Sequence, residues 1–157
     1  MAIDVDFSSG ENRFNVRVAA YITYKDKLLL EKNDSLDFYT FSGGRVKIDE
    51  NTNTAIRREM QEELGLKNIS PKLIRIEENI FPWLGKKVFQ LLFVYHIELN
   101  EKDFESLPEG TRIKDSESEK IYWINKKDLK KYKCLPALIY DLPKIDVGVI
   151  SHNINIQ

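Results

Sequence analysis

Glu59, Glu62 and Glu63 stand at i, i+3 and i+4, so on a helix their carboxylates share one face. Like charges at that spacing repel by about a few tenths of a kcal/mol per pair, and three together call for a positive partner. Carboxylates are hard oxygen donors, best matched by a cation such as Mg²⁺. A cation there offsets repulsion between an acidic surface and an anionic diphosphate, polarises a phosphoryl oxygen and acidifies water. A glutamate beside that water can orient it or take its proton. Residue type and spacing therefore point to a divalent-cation site, of a kind that could serve phosphate chemistry.

Such side chains need a loop and a helix to present them. Gly43 and Gly44 precede a polar loop, and their freedom from a Cβ lets backbone approach a ligand closely. Thr52 or Asn53 is the expected N-cap ahead of Ala55 and Ile56. Ala55, Ile56, Met60 and Leu64 form an apolar side offset from the carboxylates. Gly65 follows the last helical residue, where a left-handed cap is common. The segment reads as loop, helix, glycine stop.

The whole stretch from Gly43 to Leu66 resembles the signature of the Nudix hydrolase superfamily, MutT-like proteins included. From Gly44, five spacers lead to Glu50 and seven more to Arg58-Glu59; Met60, Gln61, Glu62-Glu63, Leu64, Gly65 and Leu66 complete the pattern. Its seven fixed Gly, Glu and Arg positions recur by chance on the order of 10⁻⁸ per starting point. The resemblance implies an α/β fold, the Nudix α/β/α sandwich with a mixed sheet between helices. It implies a pyrophosphatase that uses Mg²⁺, with Mn²⁺ as a substitute, and water as the nucleophile at a diphosphate phosphorus. It casts Glu59, Glu62 and Glu63 as metal ligands, with Glu59 also a candidate base, and the Gly43 carbonyl as a further ligand. Arg58 would hold Glu59, and Glu50 would brace the loop against the helix, with Gly44 and Gly65 structural. Some members use one more carboxylate outside the box; Glu117 and Glu119, just before Ile121-Tyr122-Trp123, are the candidates. Many members enter the box through Trp-x-Leu-Pro-Gly-Gly, whereas this chain has Tyr39-Thr40-Phe41-Ser42-Gly43-Gly44. Serine for proline gives up a fixed φ, but no metal ligand is lost.

The 157 residues, 18.4 kDa, read as one domain over residues 1–157 with short loose tails. A 42% hydrophobic and 31% charged composition is that of a folded chain. A formal net charge of −1 gives no bulk attraction to nucleic acid, so no nucleic-acid partner is expected. The single Cys134 excludes an intramolecular disulfide and reads as a small packed residue in a reducing compartment. No secretory signal or membrane-length apolar run is visible, so the expected location is cytoplasmic.

Val16–Ile22 reads as a central strand, Leu28–Glu31 as its hairpin partner, and Phe38–Phe41 as a short strand delivering the chain to the glycine pair. Lys72–Ile80 reads as a strand and residues 81–87 as a turn. Val88–Leu99 is an apolar run suited to burial on both faces. His96 inside it reads as structural. Residues 101–119 are expected as a loop, Ile121–Ile124 as a strand and residues 126–132 as a short helix. A terminal helix is expected within residues 135–150 and a loose tail over residues 151–157.

Substrate choice lies outside the box. Tyr39, Phe81 and Trp83 are candidates to stack on a base; Lys86 and Lys87 read as the solvated end of a hairpin. Some ADP-ribose-cleaving members carry a proline about fifteen residues past the box, which Pro82 matches. The expected substrate is a small nucleotide: a nucleoside diphosphate linked to another group, of the ADP-ribose or nucleotide-sugar type, or a (d)NTP. The competing readings are a non-catalytic metabolite sensor on the same fold and an RNA-cap hydrolase. Dimers are common in the family, so a homodimer is compatible with the resemblance, although no interface is legible.

Overall fold

The computed structural model describes residues 2–157. Strand β1 (Asp6–Ser9) folds back antiparallel on β2 (Asn12–Tyr24). A tight turn leads from β2 to β3 (Lys27–Asn33). Strand β4 (Ser42–Arg45) carries the glycine pair and lies antiparallel on β2, with Gly43 opposite Ala19. Helix α1 (Thr52–Leu64) follows. Next come β5 (Lys72–Trp83) and β6 (Lys86–Glu98), an antiparallel pair closed by Leu84 and Gly85. Both closing residues have positive φ, 49° and 74°, as a two-residue hairpin loop requires. After the short α2 (Glu101–Glu105), β7 (Glu119–Asn125) pairs antiparallel with β3, and β8 (Ser151–Ile156) pairs parallel with β5.

The main sheet runs β7-β3-β2-β6-β5-β8, with β2 and β6 parallel at its centre. It is a mixed sheet in an α/β fold. Alternation along β2 sends Val18, Ala20 and Ile22 to one face, where they pack with Tyr95 and Ile97 against Ala55, Ile56 and Met60 of α1. Ala19 and Tyr21 point the other way and meet Leu28, Leu30, Ile74 and Val94. That second face is covered by Leu129, Leu138, Ile139 and Leu142 from three 3₁₀ turns, Lys126–Lys131, Ala137–Tyr140 and Leu142–Lys144. Full burial of a side chain such as Ile22 or Ile97 contributes about 1.5–3 kcal/mol. Burial on both faces is why β6 reads as a nearly continuous apolar run.

Several expectations are corrected. Residues 38–41 form no strand of their own, only isolated bridges from Tyr39 to Cys134 and from Thr40 to Glu31. The strand starts at Ser42 instead and passes through the glycines. It can do so because Gly43, at φ 155°, lies so close to β2 that a Cβ would overlap the Val18 carbonyl. The turn expected over residues 81–87 narrows to two residues, because β5 continues to Trp83. The terminal helix is replaced by 3₁₀ turns: Pro136 precedes one and Pro143 sits inside the next, and proline supplies no backbone N–H for a continuing helix. Neither expected loose tail is loose: the N-terminal one carries β1, paired with Asn12–Asn15 of β2, and the C-terminal one is strand β8, whose backbone pairs with Arg75–Ile80.

Candidate active site

The box helix is set by its caps and its buried stripe. Asn51 Oδ1 accepts the Thr54 N–H at 2.9 Å, so the N-cap lies just before the expected Thr52 or Asn53. Thr52 instead uses its hydroxyl on Tyr95 Oη at 2.6 Å, joining the helix start to the sheet. Gly65 ends the helix at φ 70° and ψ 17°, and its N–H donates to Gln61 O at 3.1 Å. Burial of Ala55, Ile56, Met60 and Leu64 fixes the rotation of the helix about its axis, which determines where residues 58, 59, 62 and 63 emerge.

Arg58 ties these parts together. Its Nε donates to Glu50 Oε2 at 3.0 Å and its Nη2 to Glu50 Oε1 at 2.6 Å. Nη2 also donates to the Arg45 carbonyl at 3.0 Å, fastening β4. Nη1 donates to Glu59 Oε1 at 2.8 Å and to Glu62 Oε2 at 3.2 Å. Glu50 Oε1 accepts the Lys47 N–H at 3.0 Å, closing the loop between β4 and α1. The Glu50 carboxylate holds the guanidinium charge, so Arg58 is raised above its ordinary value and Glu50 is lowered below its own.

Glu59 lies against Gly44, where a Cβ would overlap its carboxyl. The glycine therefore makes room for an acidic side chain. Glu63 extends inward to a carboxylate that the sequence reading missed, Glu31 on β3, which is 6% exposed. Ser42 lies beside Glu31. Among the described residues, Glu31 Oε1, Ser42 Oγ and Glu63 Oε2 are all buried without a hydrogen-bond partner. Burial raises the Glu63 carboxyl, and repulsion from Glu31 and Glu59 raises it further; burial likewise raises Glu31. The available signal for Glu31 was a charged residue closing the apolar run Leu28-Leu29-Leu30.

Buried oxygens lacking any partner, all of them hard donors, fit a divalent cation held by carboxylates. Glu59, Glu63 and Glu31 converge beside the glycine pair, while Glu62 is mostly exposed and held by Arg58. Among the described residues, no three acidic, histidine or cysteine side chains stand in an arrangement that already fits a metal ion. Glu117 is exposed, and its carbonyl accepts from the Arg112 guanidinium. Glu119, on β7, is close enough to repel the Glu31 carboxylate. Of the two candidate outside carboxylates, only Glu119 acts on the charge of Glu31.

A groove of about 650 Å³ opens on the sheet face opposite α1, floored by β2, β6 and β5 and bordered by Gly43. Phe81 and Trp83 line it. Tyr39 does not. Its ring packs edge-on against Tyr122 and Tyr132, each at 5.4 Å, while its neighbours Phe38 and Thr40 take the groove side. Extended backbone sends successive residues to opposite sides. Arg17 lines the groove near Gly43. Burial lowers it from its ordinary value, and the attraction of Glu59 and Glu63 opposes that effect. Arg13 and Arg45 are engaged with Asp6 and Asp4, but Arg17 has no ion pair among the described residues. His96 is structural as expected, its Nε2 2.8 Å from Thr23 Oγ1, and Cys134 is buried.

The NUDIX domain model matches residues 13–141. The fold is similar to that of a MutT protein from Bacillus halodurans, at TM-score 0.66 and 19% identity over 88% of this chain and 89% of that one. It is also similar to a mutT/nudix family protein from Listeria innocua, at TM-score 0.62 and 16% identity over 83% and 90%. A MutT protein from Methanosarcina mazei gives TM-score 0.57 and 21% identity over 83% and 91%. No curated protein sequence matches significantly. Among the described residues no helix is long and apolar enough to cross a membrane. With its box complete and the family model covering most of its length, the chain belongs to the Nudix family and is a Nudix hydrolase.

Proposed function

We propose that this Nudix hydrolase is Mg²⁺-dependent and cleaves the diphosphate of a nucleoside diphosphate linked to another group, of the ADP-ribose or nucleotide-sugar type or a (d)NTP. The observation that supports this reading is the Glu59–Glu63–Glu31 carboxylate cluster beside the glycine pair, whose Gly43 borders the groove lined by Arg17, Phe81 and Trp83. The whole chain acts as one catalytic domain, and its lone buried thiol suits the cytoplasm.

Glu59, Glu63 and the Gly43 carbonyl would hold the cation, with Glu62 joining from the helix edge. A bound Mg²⁺ supplies charge neutralisation and water acidification. Arg58 donates to Glu59 and would keep it in place, and Glu59 would accept a proton from the attacking water. Arg17, without an anionic partner of its own, would meet a phosphate oxygen. Phe81 and Trp83 would stack on a ring at the hairpin end.

The test is an assay of purified protein against ADP-ribose, nucleotide sugars, dinucleoside polyphosphates and common and oxidised (d)NTPs, with Mg²⁺, Mn²⁺ or chelator and products resolved by chromatography. Selective turnover that is lost in chelator is expected. Nucleotide binding without any turnover would support the sensor reading instead, and selective action on capped RNA, assayed beside the panel, the cap-hydrolase reading.

A further inference from the structure

Four carboxamides stand in one row across the sheet. Asn15 on β2 is opposite Gln90 on β6, Gln90 is opposite Asn79 on β5, and Asn79 is opposite Asn155 on β8. Register partners on neighbouring strands project to the same face, and all four residues line the groove. One rung nearer the glycine pair lies Arg17; one rung further away lie Arg13, Val88 and Phe81. Residues two apart on a strand are about 7 Å apart, so the amides sit one step from the arginine proposed for phosphate.

The row does not serve the fold in the usual way. Asn15 and Asn79 are 5% and 8% exposed, yet among the described residues none of the four amides bonds to another side chain. Asn15 Oδ1 is buried with no hydrogen-bond partner among the described residues. Amides that stabilise a sheet by themselves ladder together, and an unpaired buried oxygen is costly. The deficit is one that a ligand carrying N–H groups would make good.

We infer that the row reads the edge of a nucleobase, with Asn15 Oδ1 accepting an N–H from the base and Gln90 and Asn79 supplying paired donors and acceptors. A carboxamide presents one acceptor and two donors side by side, which matches the edge of a base. A prenyl diphosphate would leave the amides unpaired, and a densely phosphorylated polyol would call for cations where these amides stand. The inference rests on the proposed nucleotide reading for its phosphate end and adds the residues that select the base.

The test is calorimetric binding of AMP, GMP, CMP, UMP and ribose 5-phosphate to the full chain and to Asn15→Leu, Asn15→Asp and Asn79→Leu, each checked for folding by circular dichroism. At least one nucleotide is expected to bind about tenfold or more tightly than ribose 5-phosphate, because a site built around amides penalises a ligand that leaves them unpaired. Asn15→Leu and Asn79→Leu should each erase most of that preference, and Asn15→Asp, which keeps the acceptor, should retain it. If Asn15→Leu does not fold, Asn79→Leu decides. Ribose 5-phosphate binding as tightly as every nucleotide, or base preference unchanged in the folded leucine variants, overturns the inference. The two readings fail separately. Base preference that depends on Asn15 in a protein inactive on every diphosphate of the panel upholds the row and removes the proposed substrates. Active hydrolysis with no preference for a base does the reverse.

Discussion

Arg58 grips Glu50 with two nitrogens, Nε at 3.0 Å and Nη2 at 2.6 Å, eight residues apart in sequence. The pair joins the box loop to the box helix, and the same guanidinium reaches Glu59. Glu50 is thus a positioning residue whose effect reaches the site through Arg58. Glu50→Gln removes the charge while keeping the shape. It is expected to lower kcat about tenfold with KM little changed, and to cost about 1–3 kcal/mol of stability. Steady-state kinetics and thermal melts check both; wild-type kcat in a destabilised variant would leave Glu50 with a purely structural role.

Gly44 is the space into which the Glu59 carboxyl fits. Gly44→Ala should displace Glu59 and reduce turnover by about 10²-fold, as small misplacements of catalytic groups do, while circular dichroism stays native. Unimpaired turnover would mean that Glu59 has no fixed seat there.

Glu31 and Glu63 bury two neighbouring carboxylates, and three oxygens of this cluster lack partners. Without a cation that arrangement is unfavourable. In chelator at pH 8, Glu31→Gln should therefore melt higher than wild type, by about 2–4 °C for each kcal/mol relieved. Added Mg²⁺ should stabilise the variant less than it stabilises wild type. A lower melting temperature in chelator would show that Glu31 is held by contacts the cluster does not account for.

The box was the most legible part of the chain because everything it needs is local. Glu59, Glu62 and Glu63 announce themselves by spacing, and Gly65 by its place after Leu64. Asn51 took the cap because a side-chain acceptor one residue earlier reached Thr54, a choice that residue type alone leaves open among Asn51, Thr52 and Asn53. What failed to show was tertiary. Strand β8 is short and mostly polar, and its partner β5 lies about 75 residues earlier, so no local pattern marks it. Tyr39 looked available for stacking until Tyr122 and Tyr132, remote in sequence, closed around it. The amide row joins residues 15, 79, 90 and 155, which only strand register brings together.

Asp6 and Arg13 anchor the β1–β2 hairpin, with Arg13 Nε donating to Asp6 Oδ1 at 2.7 Å. The Arg13 hydrogen bond holds the Asp6 carboxyl below its ordinary value. Such a group stabilises the fold fully above its unfolded pKa, and that contribution is lost as pH falls through the lowered folded value. Asp6→Asn should accordingly lower the melting temperature at neutral pH and flatten its decline between about pH 5 and pH 2. An unchanged acid limb would show that the pair contributes nothing measurable.

The central claim is that carboxylates of the box helix, and Glu63 above all, drive diphosphate hydrolysis. Its most direct test is kcat/KM of wild type and Glu63→Gln on whichever diphosphate the enzyme turns over best, at saturating Mg²⁺. A fall of about 10³-fold or more is expected, with native circular dichroism and an unaltered site of cleavage. Equal kcat/KM in the two proteins would contradict the claim and move the chemistry away from this helix.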